Sequence, residues 1–218
     1  MAVTDPDAAP HLRASMVIVP IDAPGVRIVR MLPVFGHLDE PHGHGEIVFD
    51  QVRVPRTNFI AGPGRGFEIA QGRLGPGRIH HCMRAIGAAE RALQRLCERS
   101  LGRVAFGKRL ADLGGNRDII ANCRMAIDQA RLLTLKAAWA LDRHGVFGAL
   151  TDVSAIKVVA PNVLQMVVDA AIQMHGGEGM ADPELTRLAA LGRALRIADG
   201  PDEVHRGMVA RLELNKYR

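Results

Sequence analysis

Near the C-terminus, the stretch RIADGPDEVH sets Asp199, Asp202 and Glu203 around a Gly200-Pro201 turn. Carboxylates on such a turn have two uses. They can accept backbone N–H groups at the start of the helix that follows, or one can act as a general base held in a fixed place. For a single acidic turn capping is the ordinary use, and Asp199 or Asp202 suits it. Two further interruptions of the helical pattern carry polar chemistry. RVAFG puts Arg103, Phe106 and Gly107 in one link. These supply a guanidinium for phosphate, a ring for stacking and a glycine for close approach. QMHGGEGM sets Gln173, Gly176, Gly177 and Gly179 directly after a long helix. One glycine suits a helix C-cap; the others would let backbone N–H groups line an anion. Either link could equally be an ordinary helix ending. His37, His42 and His44 in HLDEPHGHG could bind a metal, but glycine and proline give them no orienting scaffold, so they read as an exposed loop.

The elements that must position these residues change character along the chain. SMVIVP (15–20), GVRIVRM (25–31) and GEIVFDQVRVP (45–55) are β-branched, bounded by Pro and Gly, and predict strands with turns. From Gly66 the period becomes helical. GFEIAQGRL predicts a short helix, interrupted by Gly75-Pro76-Gly77. A long amphipathic helix follows, with Ile79, Cys82, Met83, Ile86, Ala89, Leu93, Leu96 and Cys97 on its stripe. Residues 117–143 and 151–175 carry similar stripes, closed by His144-Gly145 and Gly176-Gly177. DPELTRLAALGRAL and PDEVHRGMVARLEL open with Pro and acids and predict two more helices. The fold expected is mainly α: an antiparallel helical bundle over 65–218, preceded by a partial β-domain over 1–64.

Composition narrows the function classes. With 48% hydrophobic residues, the 218-residue chain can bury a substantial core. A net charge of +5 would permit a nucleic-acid partner, but the basic residues are dispersed among acids without stacking aromatics, so none is expected. Scattered arginines better suit a phosphate-bearing small ligand. Cys82, Cys97 and Cys123 are odd in number, lack metal spacing and read as buried thiols of a reducing compartment. No apolar run reads as a membrane span and no signal peptide is evident. A cytoplasmic location is the expectation.

As an ordered set, RxxFG, then QxxGGxG, then an acid-Gly turn running into DEVH resembles the C-terminal domain of the acyl-CoA dehydrogenases. LGPGRIHHCMRAIGAAERAL, LKAAWALDRHG and ADGPDEVH resemble most the subgroup of human family members ten and eleven. The resemblance runs from near the N-terminus to about residue 215. It implies oxidation of an acyl-CoA thioester to trans-2-enoyl-CoA with FAD. A carboxylate removes the α-proton, and the β-hydrogen leaves as hydride.

The family's base commonly sits just before the glycine of this turn, usually as Glu, and Asp199 holds that position here. Aspartate is shorter by roughly 1.5 Å, and the subgroup tends to carry it. Other members place the base before an arginine at the start of the long helix, where this chain has Gly77 before Arg78. The resemblance further places Arg78 and Gly200 near the acyl-CoA substrate, and Arg103, Phe106 and Gly107 at the FAD of a neighbouring subunit. It places Gln173, Met174, His175, Gly176 and Gly177 along the flavin's adenosine-diphosphate part, and Pro201, Asp202 and Glu203 beneath the flavin, with Asp202 and Glu203 also capping the helix. Pro201 stands where many members have threonine, and a Gln common after FGK is Gly114 or Gly115.

The resemblance also implies a homo-oligomer, dimer or tetramer, and electron-transfer flavoprotein as acceptor. It starts in the middle of the family's β-domain. The N-terminal helices would then be absent or come from a partner chain. A truncated, non-catalytic module for oligomerisation or flavin binding, or one half of a split enzyme, is the alternative to an active dehydrogenase.

Overall fold

The computed structural model describes residues 1–38, 40–41 and 43–218. His42, one of the three loop histidines, lies outside them. The chain forms two compact units, Met1–Leu74 and Gly75–Arg218.

In the first unit β1 (Ala2–Val3) pairs with β2 (Ala14–Ser15), and β3 (Val26–Met31) pairs antiparallel with β4 (Gly45–Phe49). The strand expected over 15–20 shrinks. Beyond Ser15 only Val17 bridges, to Phe59, because Pro20 removes a donor just where a ladder would extend. The strand expected over 45–55 stops at Phe49, since Gln51 takes a left-handed φ of 50°, which a β-ladder cannot hold.

From Gly66, in the last residues of the first unit and through the second, the helices follow the apolar stripes. They are α1 (Gly66–Gly102), α2 (Asn116–Gly148), α3 (Leu150–His175), α4 (Gly177–Ala181), α5 (Pro183–Leu195) and α6 (Asp202–Leu214). The expected break at Gly75-Pro76-Gly77 does not occur, and α1 runs through Pro76. Proline costs the helix one hydrogen bond and crowds the carbonyl four residues back. The residue before Pro76 is Gly75, which has no Cβ for the proline ring to crowd, so part of the usual steric cost is absent. Gly145 does break α2, with φ 68° and ψ −176°.

Cys82, Ile86, Ala89, Leu93 and Leu96 of α1 bury against Ile127 and Ala130 of α2 and Ile156, Leu164 and Val167 of α3. Polar contacts give the directions. Glu90 of α1 binds Arg124 and Arg131 of α2, while Ile79 packs near Ala140, so α1 and α2 are antiparallel. α3 is apolar enough, at mean hydropathy 1.5, and long enough to cross a bilayer, which corrects the expectation of no such run. It is a core helix instead: Ile156, Lys157, Leu164, Val167 and Val168 are fully buried within the bundle. A link in which Val104–Ala105 (β5) pairs with Lys108–Arg109 (β6) joins α1 to α2. Asp182 caps α5 by accepting from Glu184 and Leu185 N–H.

Candidate functional site

The turn between α5 and α6 is held from three sides. Asp199 adopts a left-handed backbone, φ 56°, and Gly200 follows at φ 103°. Such a conformation is tolerated by Asp better than by most side chains, yet it persists only when its surroundings impose it. Those surroundings are cationic or imidazole donors. Arg78 Nε and His205 Nε2 each donate to the Asp199 carbonyl at 3.2 Å. Lys157 Nζ donates to the Leu195 carbonyl at 2.6 Å and to Gly200 at 3.2 Å. Leu195 ends α5, so a cation there also meets the negative end of that helix. A Cβ on Gly200 would lie 2.9 Å from His205 Nε2, so the glycine is needed for both its φ and its contact.

The Asp199 carboxylate itself is about a quarter exposed, and its Oδ2 lies 3.1 Å from His81 Nε2. Four groups around it are perturbed chiefly by burial. Burial pulls His81 below the ordinary histidine value, Asp199 opposes this, and Arg84, His80 and Lys157 add to it. Burial likewise lowers His205, against its bond to the Asp199 carbonyl. Burial lowers Lys157 and Arg78, with nearby carboxylates pulling the other way. Cys82, whose Sγ donates to the Ile156 carbonyl at 3.3 Å, is pushed up to about 12 by burial and stays a thiol. A partly open carboxylate beside one imidazole favoured neutral, on a backbone held by buried donors, can accept a proton from a bound ligand.

Asp202 behaves differently from the cap expected of it. The N-cap of α6 is Pro201, with no side-chain cap bond. The Asp202 carboxylate turns inward instead, 2% exposed, and its Oδ2 accepts from Arg196 Nε at 2.8 Å and Asn162 Nδ2 at 3.2 Å. Burial opposes its ionisation, but these bonds and the Arg196 and Arg206 charges outweigh that, so its pKa is lowered. A cofactor at this turn would meet Glu203, whose side chain is well exposed, and backbone rather than the Asp202 carboxylate.

The remaining sequence-predicted residues lie at the other end of the bundle. From Arg78 to Gly102, α1 covers roughly 36 Å at 1.5 Å per residue. There Phe106 and Gly107 form the tip of the β5–β6 hairpin with φ 51° and 76°, and Phe106 is 95% exposed. Arg99 links this end to the close of α3, donating to the His175 carbonyl at 3.5 Å and pairing with Glu178 at 2.8 Å. Met174 is buried, and His175 Nδ1 contacts the Ala171 carbonyl at 2.7 Å.

The glycines here divide by cause. Gly176 needs its φ of 66°, and its N–H donates to Ile172 and Gln173. Gly179 needs its size, because a Cβ would sit 2.5 Å from the Ile172 carbonyl oxygen, and its N–H donates to Gly176. These two amides are therefore committed within the chain and do not form the expected anion cradle. Gly177 has neither a positive φ nor a neighbour within 4 Å of its Cβ position, so its surroundings leave space for a ligand. The structure thus brings Arg78, Asp199, Gly200 and Pro201–Glu203 together at one end, and Arg103–Gly107 with Gln173–Gly177 at the other.

His81, Lys157 and His205 belong to the Asp199 cluster, and sequence reasoning missed them. His81 lies one helical turn past Arg78, and His205 closes the DEVH run, so both were legible as neighbours of flagged residues. Lys157 carried a quieter signal: a lysine inside an apolar stripe.

A family model described as "Acyl-CoA dehydrogenase, C-terminal domain" matches residues 64–214. Probable acyl-CoA dehydrogenase FadE2 of Mycobacterium tuberculosis is 57% identical over 219 residues, covering 100% of this chain and 54% of that protein. Human acyl-CoA dehydrogenase family member 11 is 54% identical over 206 residues, covering 94% of this chain and 26% of that protein. A solved chain from Mycobacterium abscessus superposes with a TM-score of 0.95 at 61% identity, covering 98% of this chain and 53% of the other. The chain therefore spans about half the length of the mycobacterial relative and about a quarter of the human one.

Proposed function

The chain belongs to the acyl-CoA dehydrogenase family, and we propose that it carries out the α,β-dehydrogenation of an acyl-CoA thioester to trans-2-enoyl-CoA, with Asp199 as the α-proton base. One observation carries this reading: a partly exposed carboxylate on a left-handed turn whose backbone three separate side chains fix. Thioester α-protons are weakly acidic, so a base contributes only if it is placed within hydrogen-bond reach and the developing oxyanion meets donors. Arg78 spends one of its five N–H groups on the Asp199 carbonyl, and the rest of its fork would meet the acyl-CoA.

The family implies FAD, and the residues present fit it at both ends of the bundle. At one end Pro201 N-caps α6 with extended backbone beside the exposed Glu203. At the other, the Phe106 ring is exposed at the hairpin tip, and a Cβ at Gly177 would meet open space. The two sets would hold different FAD molecules in a homo-oligomer that shares its sites between subunits. Bound FAD would supply the acceptor for the β-hydrogen and its electron pair, which an electron-transferring flavoprotein would then collect.

The test is the visible spectrum of the FAD-loaded protein before and after acyl-CoA. Bleaching of the flavin band is expected, and Asp199→Asn should abolish it while FAD stays bound. Bleaching that survives in Asp199→Asn would remove Asp199 from the role. A protein that takes up no FAD would favour the non-catalytic module.

A further inference from the structure

We propose that His81 is a positioning residue for Asp199: its imidazole, through Nε2, holds carboxylate oxygen Oδ2 so that Oδ1 alone is left to take a proton. This rests on the assignment of Asp199 as the base. The observation is the 3.1 Å approach of His81 Nε2 to Asp199 Oδ2, between side chains about a third and a quarter exposed.

Backbone bonds from Arg78 and His205 fix where the Asp199 main chain lies, but they leave the carboxylate free to turn about its side-chain torsions. A short side chain on a fixed backbone still needs one more contact to aim it. His81 supplies that contact from α1, three residues past Arg78, so one helical turn controls both the backbone and the carboxylate of the base.

The electrostatics select a tautomer. A nitrogen facing a carboxylate at this distance must carry its proton, because a bare lone pair would repel the oxygen. The titratable and charged groups around the pair come from every packed element: Arg78, His80, Cys82 and Arg84 on α1, Lys157 on α3, and Asp202 and His205 on α6. Burial and the cations disfavour imidazolium, so at neutral pH His81 is a neutral Nε2–H donor that orients Asp199. When the pH falls and His81 takes a second proton, the carboxylate becomes half of a full ion pair. A carboxylate stabilised in that way is a poorer proton acceptor. The dehydrogenation is therefore expected to lose rate on the acid side through the His81 transition.

The test begins on the chain itself by nitrogen-edited NMR of the imidazoles. His81 should show the Nε2–H tautomer above its transition, and in Asp199→Asn that transition should move further below the ordinary histidine range. The Asp199 side chain should occupy one rotamer in the native protein, average among several in His81→Phe, and be restored in His81→Gln, whose amide can donate from about the same place. A His81 transition unmoved by Asp199→Asn, or an Asp199 rotamer indifferent to His81→Phe, would overturn the proposal. In the FAD-loaded protein, His81→Gln should keep bleaching but lose the acid limb set by His81. An unchanged limb would also count against it. If Asp199→Asn still bleaches while the NMR coupling is present, the base assignment fails and the pairing stands.

Discussion

At the scale of single residues, the Asp199 cluster carries a pH dependence whose sign follows from burial. His81 and His205 bind a proton less readily in the folded chain than in the unfolded one, where the ordinary value is near 6.5. The unfolded state therefore gains protons first as pH falls through that value, and folding stability contributed by the neutral rings is lost there. Urea unfolding should show a lower midpoint at about pH 5 than at about pH 7.5. His205→Gln, which can keep a donor to the Asp199 carbonyl, should reduce the difference. Asp202 acts in a separate window. Its lowered pKa makes its contribution present above the ordinary aspartate value of 3.8 and lost below it. An unchanged midpoint between about pH 7.5 and pH 5 would contradict the histidine account. Asp199 was legible in the sequence because it precedes a glycine on a turn that resembles a known one. Lys157 was the least legible of its helpers, because a hydrogen bond from α3 to a carbonyl more than forty positions away leaves no mark on local pattern. Asp202 misled for the same reason. An acid at a helix start looks like a cap until Arg196 and Asn162 are seen to claim it.

At the scale of elements, the reach of Lys157 from α3 ties the end of α5 to the turn before α6. Its side chain is fully buried, and its Nζ is the partner of two carbonyls there. Lys157→Met keeps most of the volume but leaves those carbonyls unpaired, a loss of about 2 kcal/mol. Part of that is returned, because a buried cation no longer has to be desolvated. The variant should unfold at lower denaturant. It should also lose dehydrogenation more than FAD binding, because the turn that slackens is the one carrying Asp199. Equal stability with full activity would show that α3 does not brace the turn. The helical stripes were readable because burial repeats with the helical period in Cys82, Ile86, Ala89 and Leu93. The expected break at Gly75-Pro76-Gly77 failed because Pro stops a helix through steric crowding. Here the residue before it is Gly75, with no Cβ for the ring to crowd. The short strands were overread. β-branched content marks residues that could pair, while the length of a strand depends on a partner strand that local sequence does not specify.

At the scale of the whole molecule, the two candidate groups lie at opposite ends of one bundle. The Asp199 turn sits beside the first half of α1, and the Phe106 hairpin extends from its far end. Under the proposed function, the site would be assembled from more than one copy of the chain. An apolar row on α2 fits that assembly. Met125, Leu132, Leu135 and Trp139 are all about half exposed or more and fall within roughly 80° of one helix face. The order of motifs along the chain was legible from sequence; their separation in space was not, because it depends on Arg78 and Arg99 of α1 meeting different turns of the bundle. The central claim is that Asp199 removes the α-proton, and the most direct measurement is exchange at that carbon. Acyl-CoA would be incubated in deuterium oxide with the FAD-loaded protein and with Asp199→Asn, and deuterium at the α-carbon read by mass spectrometry. The account predicts incorporation with the native protein and none above background with Asp199→Asn. Incorporation undiminished in the variant, or absent from both, would contradict it.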